Sequence, residues 1–347
     1  MDRVYLDWNA TAPLRPEARA AMLAAMDLVG NPSSVHAEGR AAKALVEKAR
    51  RQVAAAAGAE PGEVVFTSGA TEAAALALAG RGFVCADIEH DAVAAWCAAS
   101  IPVDAAGLVA LAEPGGATVQ LANSETGVVQ PLPEGLAVTD ATQGLGKIPF
   151  AFGWSGVETA LISAHKLGGP KGVGALLVKG GREIDPRIRG GGQEAGRRSG
   201  TENLIGIAGF GAAAEAAARD LDRGVWDRVA ELRNILENSI AESEKETIFV
   251  GKGANRLPNT SCFITPGWKG ETQVMVMDLA GYAVSAGSAC SSGKVKASRT
   301  LRAMGYDEGL AANALRVSLG PETSEAEVLG FAAAWARENE KRRARVR

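Results

Sequence analysis

The sequence has few aromatic residues, little net charge and no long apolar run. Only 5% of its 347 residues are aromatic, and the formal net charge is −3. Proteins that bind nucleic acid or anionic membranes usually carry a basic patch or aromatic platforms, so we expect neither partner here. The chain lacks a run of about 18 apolar residues, and its first residues lack the apolar core of a signal peptide. These absences favour a cytoplasmic protein.

Cysteine is also scarce. The four cysteines, Cys85, Cys97, Cys262 and Cys290, show no paired spacing, which argues against a disulfide framework or a zinc site. Cys85 and Cys97 are predicted to pack in a strand and a helix, and Cys262 in a strand. Cys290 differs, because small polar residues surround it and basic residues follow at 294, 296 and 299. Such surroundings can stabilise a reactive thiolate, although a solvent-facing bystander thiol fits them too.

Apolar residues and glycine are abundant instead. The chain is 47% hydrophobic and contains 42 glycines, which fits a large core with many tight turns. Apolar strand patterns alternate with Ala-rich helix patterns, which predicts an α/β fold with a mostly parallel sheet and one ligand crevice. Residues 13–224 are predicted to form this large domain, and residues 1–12 with 225–347 a smaller α+β domain. The pattern predicts, among other elements, helices over 202–219 and 225–244 and strands over 174–178 and 260–264.

Polar side chains end one apolar strand pattern. Residues 159–162 are Thr-Ala-Leu-Ile, and Ser163, His165 and Lys166 follow before a Gly/Pro-rich turn. A lysine removed from water has a lowered pKa and can bond covalently to a carbonyl cofactor. Taken alone, the stretch fits a solvated lysine at a strand end better than a catalytic one.

A possible anion site precedes another helix pattern. The strand pattern 64–66 leads into Thr-Ser-Gly-Ala-Thr-Glu, which includes Ala70 and Thr71, and then into an Ala/Leu-rich helix. Unpaired amides at a helix N-terminus bind anions well. An ordinary capped helix would have the same pattern.

Ten short motifs follow one another along nearly the whole chain. They are Tyr-Leu-Asp-x-x-Ala-Thr, Gly-Asn-Pro-Ser-Ser-x-His, Phe-Thr-Ser-Gly-Ala-Thr-Glu, Glu-His-Asp-Ala-Val, Asn-x-Glu-Thr-Gly-Val-Val-Gln, Asp-Ala-Thr-Gln, Ser-x-His-Lys, Arg-Ser-Gly-Thr, Ser-Ala-Gly-Ser-Ala-Cys-Ser-Ser and Leu-Arg-Val-Ser-Leu-Gly. Taken together and in this order, they resemble those of the class V aminotransferase group of pyridoxal-phosphate enzymes, and more narrowly the group I cysteine desulfurases of NifS/IscS type. The resemblance implies the type I fold of pyridoxal-phosphate transferases, with a large sheet of the seven-stranded type.

The resemblance also implies a role for each site residue. Lys166 would bond covalently to pyridoxal 5'-phosphate and then move protons, and Asp140 would face its ring nitrogen. Arg316, with Asn123, would bind the substrate carboxylate. The remaining cofactor contacts are implied for Ala70, Thr71, Ser163 and His165 at the phosphate, Asn123 and Gln143 at the phenolic oxygen, His90 on the ring face, and Thr201 from the neighbouring subunit of a homodimer. His36 also lies in a matching motif but is expected at a loop or helix start.

The implied reaction converts L-cysteine to L-alanine and leaves a persulfide on Cys290, whose sulfur passes to an acceptor or scaffold protein of iron–sulfur assembly or another sulfur-transfer pathway. The loop of about 286–298 around this cysteine is predicted to be mobile. Two alternatives remain open. One is a related class V enzyme, a selenocysteine lyase or an aminotransferase, and the other is a catalytically degenerate interaction protein.

One stretch departs from the family. The connection from 127 to 135 is short and contains Pro131 and Pro133, whereas relatives carry a helix there. It is therefore predicted to be non-helical. We also expect it to leave part of one sheet face uncovered, as a surface for a partner protein.

Overall fold

The computed structural model describes residues 3–287 and 297–346. Within this part of the chain the α-helices are α1 (Pro16–Met26), α2 (Ala37–Ala57), α3 (Ala70–Leu78), α4 (Asp91–Ala94), α5 (Leu204–Asp222), α6 (Val225–Ser243), α7 (Gly270–Leu279), α8 (Arg299–Ala303), α9 (Glu308–Ala311) and α10 (Glu325–Val346). The strands are β1 (Val4–Tyr5), β2 (Val64–Thr67), β3 (Val84–Ala86), β4 (Ala98–Ile101), β5 (Thr139–Asp140), β6 (Thr159–Ser163), β7 (Gly174–Val178), β8 (Ile248–Phe249), β9 (Thr260–Ile264), β10 (Tyr282–Ala283), β11 (Ser285–Ala286) and β12 (Ala314–Ser318). Among the described helices, none combines the length and the apolar character needed to cross a membrane.

The large sheet is mostly parallel, as predicted. Its strands run in the order β2-β7-β6-β5, and β7 is antiparallel to both of its neighbours. The extended segment 117–122 continues the sheet, because it forms parallel bridges with Val138 on one side and Val84 on the other. Strands β3 and β4, also parallel, complete it. The described strands and this segment therefore form a seven-membered sheet, and the α/β fold of the predicted type is confirmed.

Helices cover both faces of this sheet because its buried strands alternate their apolar side chains. In β6, Ala160 and Ile162 join a core with residues of α2 and α5, whereas Leu161 lies in a second core with α3. Strand β2 divides in the same way, with Phe66 on the first face and Val65 on the second. This is the two-residue period of a strand buried on both faces. The sheet is thereby held between helices, with its carboxyl edge left for the site.

A second, antiparallel sheet has the order β11-β12-β9-β8. Helices α6 and α10 cover it, and Trp335 of α10 packs edge-on against Phe263 of β9 at a centroid distance of 5.7 Å. The N-terminal segment joins this region, because β1 pairs with β10 and Asp7 bridges to Ser318. The division into domains at residues 12 and 224 is compatible with this pairing but stays a prediction.

Several local predictions can be compared with the structure. The predicted helices correspond to α5 and α6, and the predicted strands 174–178 and 260–264 to β7 and β9. His36 is the N-cap of α2, and its Nδ1 accepts a hydrogen bond from the Gly39 amide, which confirms its helix-start position. Cys85 lies in β3 and Cys262 in β9, both buried as predicted. Cys97 is not in a helix, because α4 ends at Ala94 and the chain turns into β4.

The short connection at 127–135 is non-helical, as predicted. The prediction that part of this sheet face would be uncovered was wrong. The neighbouring sheet residues Val119 and Leu136 are 2% and 0% exposed. They are covered by the preceding segment, in which Val103 and Val109 bridge to each other and pack on this core. The chain's own residues therefore cover this part of the sheet face.

Candidate active site

A cavity of about 740 Å³ lies at the carboxyl ends of β5 and β6, facing the N-terminus of α3. It brings together most of the predicted site residues, which come from distant parts of the sequence. Those lining it are Ala70, Thr71, His90, Asp140, Gln143, Ser163, His165, Lys166 and Arg316. Asn123 and Thr201 do not line it, and Cys290 with the neighbouring residues 288–296 lies outside the described part of the chain.

Lys166 follows the buried strand β6 directly. Residues Ala164–Lys166 form a single helical turn after this strand, which brings the lysine to the cavity. Its Nζ donates hydrogen bonds to the carbonyl oxygens of Asn9, at 2.6 Å, and Ala10, at 3.0 Å. The amine is thus held at the cavity wall by backbone oxygens of the N-terminal segment.

His165 is held neutral beside this lysine. Burial, with smaller contributions from Lys166, Lys171 and His90, lowers the pKa of its imidazole to about 4. Its Nδ1 lies 3.3 Å from the hydroxyl of Thr11. Because the ring is uncharged at neutral pH, it can act as a hydrogen-bonding group but adds no charge to the cavity.

Asp140 ends strand β5 beside Lys166, and a buried second carboxyl lies close to it. Glu89 is 3% exposed, and its Oε1 accepts a hydrogen bond from the Gln120 amide at 2.7 Å. Burial, together with the negative charge of Asp140, raises the pKa of Glu89 well above its usual value. Sequence reasoning missed Glu89, although it is the first residue of Glu-His-Asp-Ala-Val.

Arg316 lies in β12 and is only 3% exposed. One terminal nitrogen donates to Asp7 Oδ1 at 2.7 Å and the other to the Ser124 carbonyl at 3.1 Å. Its Nε is buried and has no hydrogen-bond partner among the described residues. A guanidinium with an unsatisfied donor at a cavity wall suits a carboxylate ligand. The Tyr-Leu-Asp motif signalled Asp7, but sequence reasoning gave Asp7 no role.

The N-terminus of α3 forms an anion cradle. The helix has no side-chain cap at Gly69, so the first amides, at Ala70 and Thr71, face the cavity without an internal acceptor. Gly174 allows this arrangement, because a Cβ there would lie 2.8 Å from Gly69 Cα. Ser163 and Lys171 line the same end of the cavity.

Two predicted residues lie elsewhere. Asn123 is buried with its amide bound to backbone. Its Nδ2 donates to the Ile88 carbonyl, and its Oδ1 accepts from the amides of Glu125 and Thr126. Thr201 is exposed and lines a neighbouring cavity of about 250 Å³, which shares Ser68 and Gly172 with the first cavity. Their predicted contacts with cofactor and substrate stay predictions.

Comparison with known proteins gives a consistent result. The profile of the family described as "Aminotransferase class-V" matches residues 4–331. A protein named "Cysteine desulfurase" from Cereibacter sphaeroides is 42% identical, with 94% of this chain and 93% of the relative aligned. The solved NifS-like protein from Rickettsia africae superposes with a TM-score of 0.88 at 30% identity, covering 97% of this chain and 99% of that one. A structure titled "SspA in complex with cysteine" is 27% identical with a TM-score of 0.77, covering 92% of this chain and 100% of that one.

Proposed function

The chain belongs to the class V aminotransferase family, and we infer from this membership that it is a cysteine desulfurase. The observation that carries the inference is the cavity in which Lys166, Asp140 and Arg316 meet. A lysine nucleophile, a carboxylate and a carboxylate-binding guanidinium are the groups that cofactor-dependent amino-acid chemistry needs. The named relatives narrow this chemistry to the removal of sulfur from cysteine.

We propose pyridoxal 5'-phosphate as the cofactor, because the cavity offers a matching group for each of its polar parts. The uncapped amides at Ala70 and Thr71, with Ser163 and the neutral His165, suit the phosphate. Asp140 would keep the ring nitrogen protonated, His90 would cover the ring face, and Gln143 with Asn123 would bind the phenolic oxygen. Once bound, the cofactor supplies an electron sink for bonds broken at the substrate amino acid.

We propose L-cysteine as the substrate and Arg316 as the group that binds its carboxylate. A solved relative is described as a complex with cysteine, which supports this choice. The terminal nitrogens of Arg316 donate hydrogen bonds to Asp7 and to the Ser124 carbonyl. The substrate carboxylate would therefore compete with Asp7, while Nε supplies a donor that has no other described partner.

We propose that the Cys290 thiolate then takes the sulfur. A sulfur–sulfur bond forms as the carbon–sulfur bond of the substrate breaks, and the electron pair of that bond stays with the substrate carbon. A proton delivered by the Lys166 amine completes the methyl group of L-alanine. One cysteine and one enzyme thiol give one alanine and one persulfide. Atoms and electrons therefore balance, and no external oxidant is required.

The persulfide sulfur would pass to an acceptor or scaffold protein of iron–sulfur cluster assembly or of another sulfur-transfer pathway. We propose a cytoplasmic site of action, in which Cys85, Cys97 and Cys262 remain the free thiols that the structure contains. We further propose a homodimer in which residues 198–201 of one subunit contact the phosphate site of the other.

The test is alanine formation from L-cysteine by the cofactor-loaded protein. Cys290→Ser should retain cofactor and substrate binding but lose alanine and sulfide release by at least about 1,000-fold, because a serine hydroxyl is neither ionised nor a sulfur acceptor. Mass spectrometry should find one added sulfur on the Cys290 peptide of the unaltered protein. Cys97→Ser, at a half-buried thiol outside the cavity, is the matched control.

The same experiment separates the alternatives. Undiminished turnover by Cys290→Ser would contradict the desulfurase mechanism and favour a selenocysteine lyase or an aminotransferase. If the unaltered protein binds no cofactor and forms no alanine, it is a degenerate interaction protein.

A further inference from the structure

Lys147 is a buried lysine behind the wall of the active site, and the mechanism above does not use it. The residue is only 3% exposed and lies four residues after Gln143 in the sequence. Its Nζ lies 2.9 Å from Gln143 Oε1 and 3.0 Å from Asn9 Oδ1. The ion pairs of the described residues do not include it. A lysine is seldom buried without a carboxylate partner, so its presence here needs a cause.

The two contacts match an uncharged amine. An ammonium group carries three N–H bonds, whereas the described residues offer Lys147 two acceptors, which is the number that an amine can use. Burial, together with the positive charges of Lys166 and Arg316, lowers the pKa of Lys147 well below its usual value. Lys147 therefore acts here as a fixed pair of hydrogen-bond donors.

These donors decide which way the Gln143 amide faces. With Oε1 occupied by Lys147, Nε2 donates one hydrogen to the Asn9 carbonyl at 2.9 Å. The group that Gln143 can still offer to the cavity is the second Nε2 hydrogen. An amide rotated by 180° would fill the same space but would present an oxygen to the cavity. It would also remove the acceptor that Lys147 Nζ uses and set Oε1 against the Asn9 carbonyl, which is itself an acceptor.

Asn9 is itself fixed in one orientation and links this pair to Lys166. Its Oδ1 also accepts from the Asn259 amide, and its Nδ2 donates to the Thr260 hydroxyl. Its carbonyl accepts from both Gln143 and Lys166. Every polar group around Lys147 therefore has one assigned direction, and the rotated form of Gln143 would break several bonds at once.

We propose that Lys147 is a positioning residue that holds Gln143 as a hydrogen-bond donor toward the phenolic oxygen of the cofactor. The proposal rests on the proposed function, which places that oxygen near Gln143. A donor at this oxygen stabilises its negative charge and so favours loss of a proton from the bound cofactor. Removal of Lys147 takes away one of the two contacts that hold the Gln143 amide, so the rotated form becomes more populated, and its acceptor facing the oxygen would disfavour that loss.

The experiment is a pH titration of the visible absorption of the bound cofactor. In Lys147→Met, which keeps the length of the side chain without its donors, we expect the midpoint to move up by about one pH unit or more. Gln143→Ala should move it in the same direction. The two substitutions together should shift it no further than Gln143→Ala alone, because Lys147 acts through Gln143. Lys179→Met, at an exposed lysine, is the control and should leave the midpoint unchanged.

Other outcomes contradict the proposal in a recognisable way. An unchanged midpoint in Lys147→Met, or a shift of equal size in the Gln143→Ala background, would show that Lys147 fills space rather than orienting the amide. If Lys147→Met does not fold, Lys147→Gln, which retains a shorter donor, should give a smaller upward shift, and an unchanged midpoint there overturns the proposal equally. If the unaltered protein binds no cofactor, the proposed function fails instead.

Discussion

Several lysines lie near the cavity, and the covalent role proposed for Lys166 can be tested separately from the roles of the others. Lys166→Ala should lose the cofactor that borohydride fixes to the protein and should lower alanine formation by at least about 1,000-fold, because the covalent bond and the proton carrier both disappear. Lys171→Ala is the control. Lys171 lines the same cavity, and its loss should weaken phosphate binding but leave the fixation intact. Fixation at a different lysine, located by peptide mass spectrometry, would show that the assignment is wrong.

At the scale of residues, the sequence predicted most of the cavity wall and missed the residues behind it. Asp140, Ser163, His165 and Lys166 could be predicted because each follows a strand pattern directly, and such strand ends meet at one edge of a parallel sheet. Asp7 could not be paired with Arg316 in this way, because the two are 309 positions apart and meet through the second sheet. Glu89 and Lys147 were missed for a similar reason, since their importance comes from burial.

At the scale of elements, the turn at 123–126 and helix α8 are joined by a half-buried acid, Glu125. Ser298, the N-cap of α8, donates its hydroxyl hydrogen to Glu125, and a Cβ on Gly287 would lie 3.5 Å from the same carboxyl oxygen. Burial, with a smaller contribution from Asp91, raises the pKa of Glu125 to about 7. The hydrogen bond from Ser298 and the positive charges of Arg316 and Arg299 lower this pKa but are outweighed. Gly287 and Ser298, which lie on either side of segment 288–296, are therefore both close to this one carboxyl group.

This pKa gives a prediction with a definite sign. A raised folded-state pKa means that Glu125 favours folding when protonated. Its contribution is complete below the ordinary value of 4.5 and is lost as the pH rises to about 7 and above. Relative to the unaltered protein, the free energy of unfolding of Glu125→Gln should therefore increase between pH 5 and pH 8, by about 3 kcal/mol at most. Denaturant titrations of both proteins at the two pH values measure this. An equal pH dependence in the two proteins would exclude a raised pKa at Glu125.

Elements were predicted well where one pattern runs without interruption, as in α5 and β7. They were predicted poorly where a neighbouring segment determines the outcome. Residues 117–122 contact the sheet through isolated bridges and not as a regular strand. The sheet face near 127–135 was expected to be open, but Val103 and Val109 cover it. Such packing depends on segments that no local pattern identifies.

At the scale of the whole molecule, the placement of Thr201 can be tested in a hybrid dimer. Thr201 lies in a cavity next to the proposed phosphate site and is exposed in the single chain. If it serves the partner's site, Lys166→Ala and Thr201→Asp should each inactivate a homodimer, the second by charge repulsion of the phosphate. A hybrid of the two variants should recover one intact site and about half of the activity.

Sedimentation supplies the accompanying measurement, and the cofactor should strengthen the dimer because a shared site links binding to association. No recovery in the hybrid, or a monomer that binds cofactor fully, would contradict the shared site. Variants of Lys252, an exposed residue that stacks on Phe249 in the second sheet, provide a control hybrid with unaltered activity.

The position of Asn9 has a consequence for how the protein is made. Its backbone carbonyl accepts hydrogen bonds from Lys166 and Gln143. Its side chain is fixed by hydrogen bonds with Asn259 and Thr260, and its backbone N–H donates to the Ser318 hydroxyl. On a ribosome, Asn9 emerges 309 residues before Ser318. The wall behind the lysine therefore stays unfinished until β12 has been made. Capture of the cofactor in its final geometry should follow the synthesis of β12, and nascent polypeptides stalled before β12 should bind it weakly or not at all.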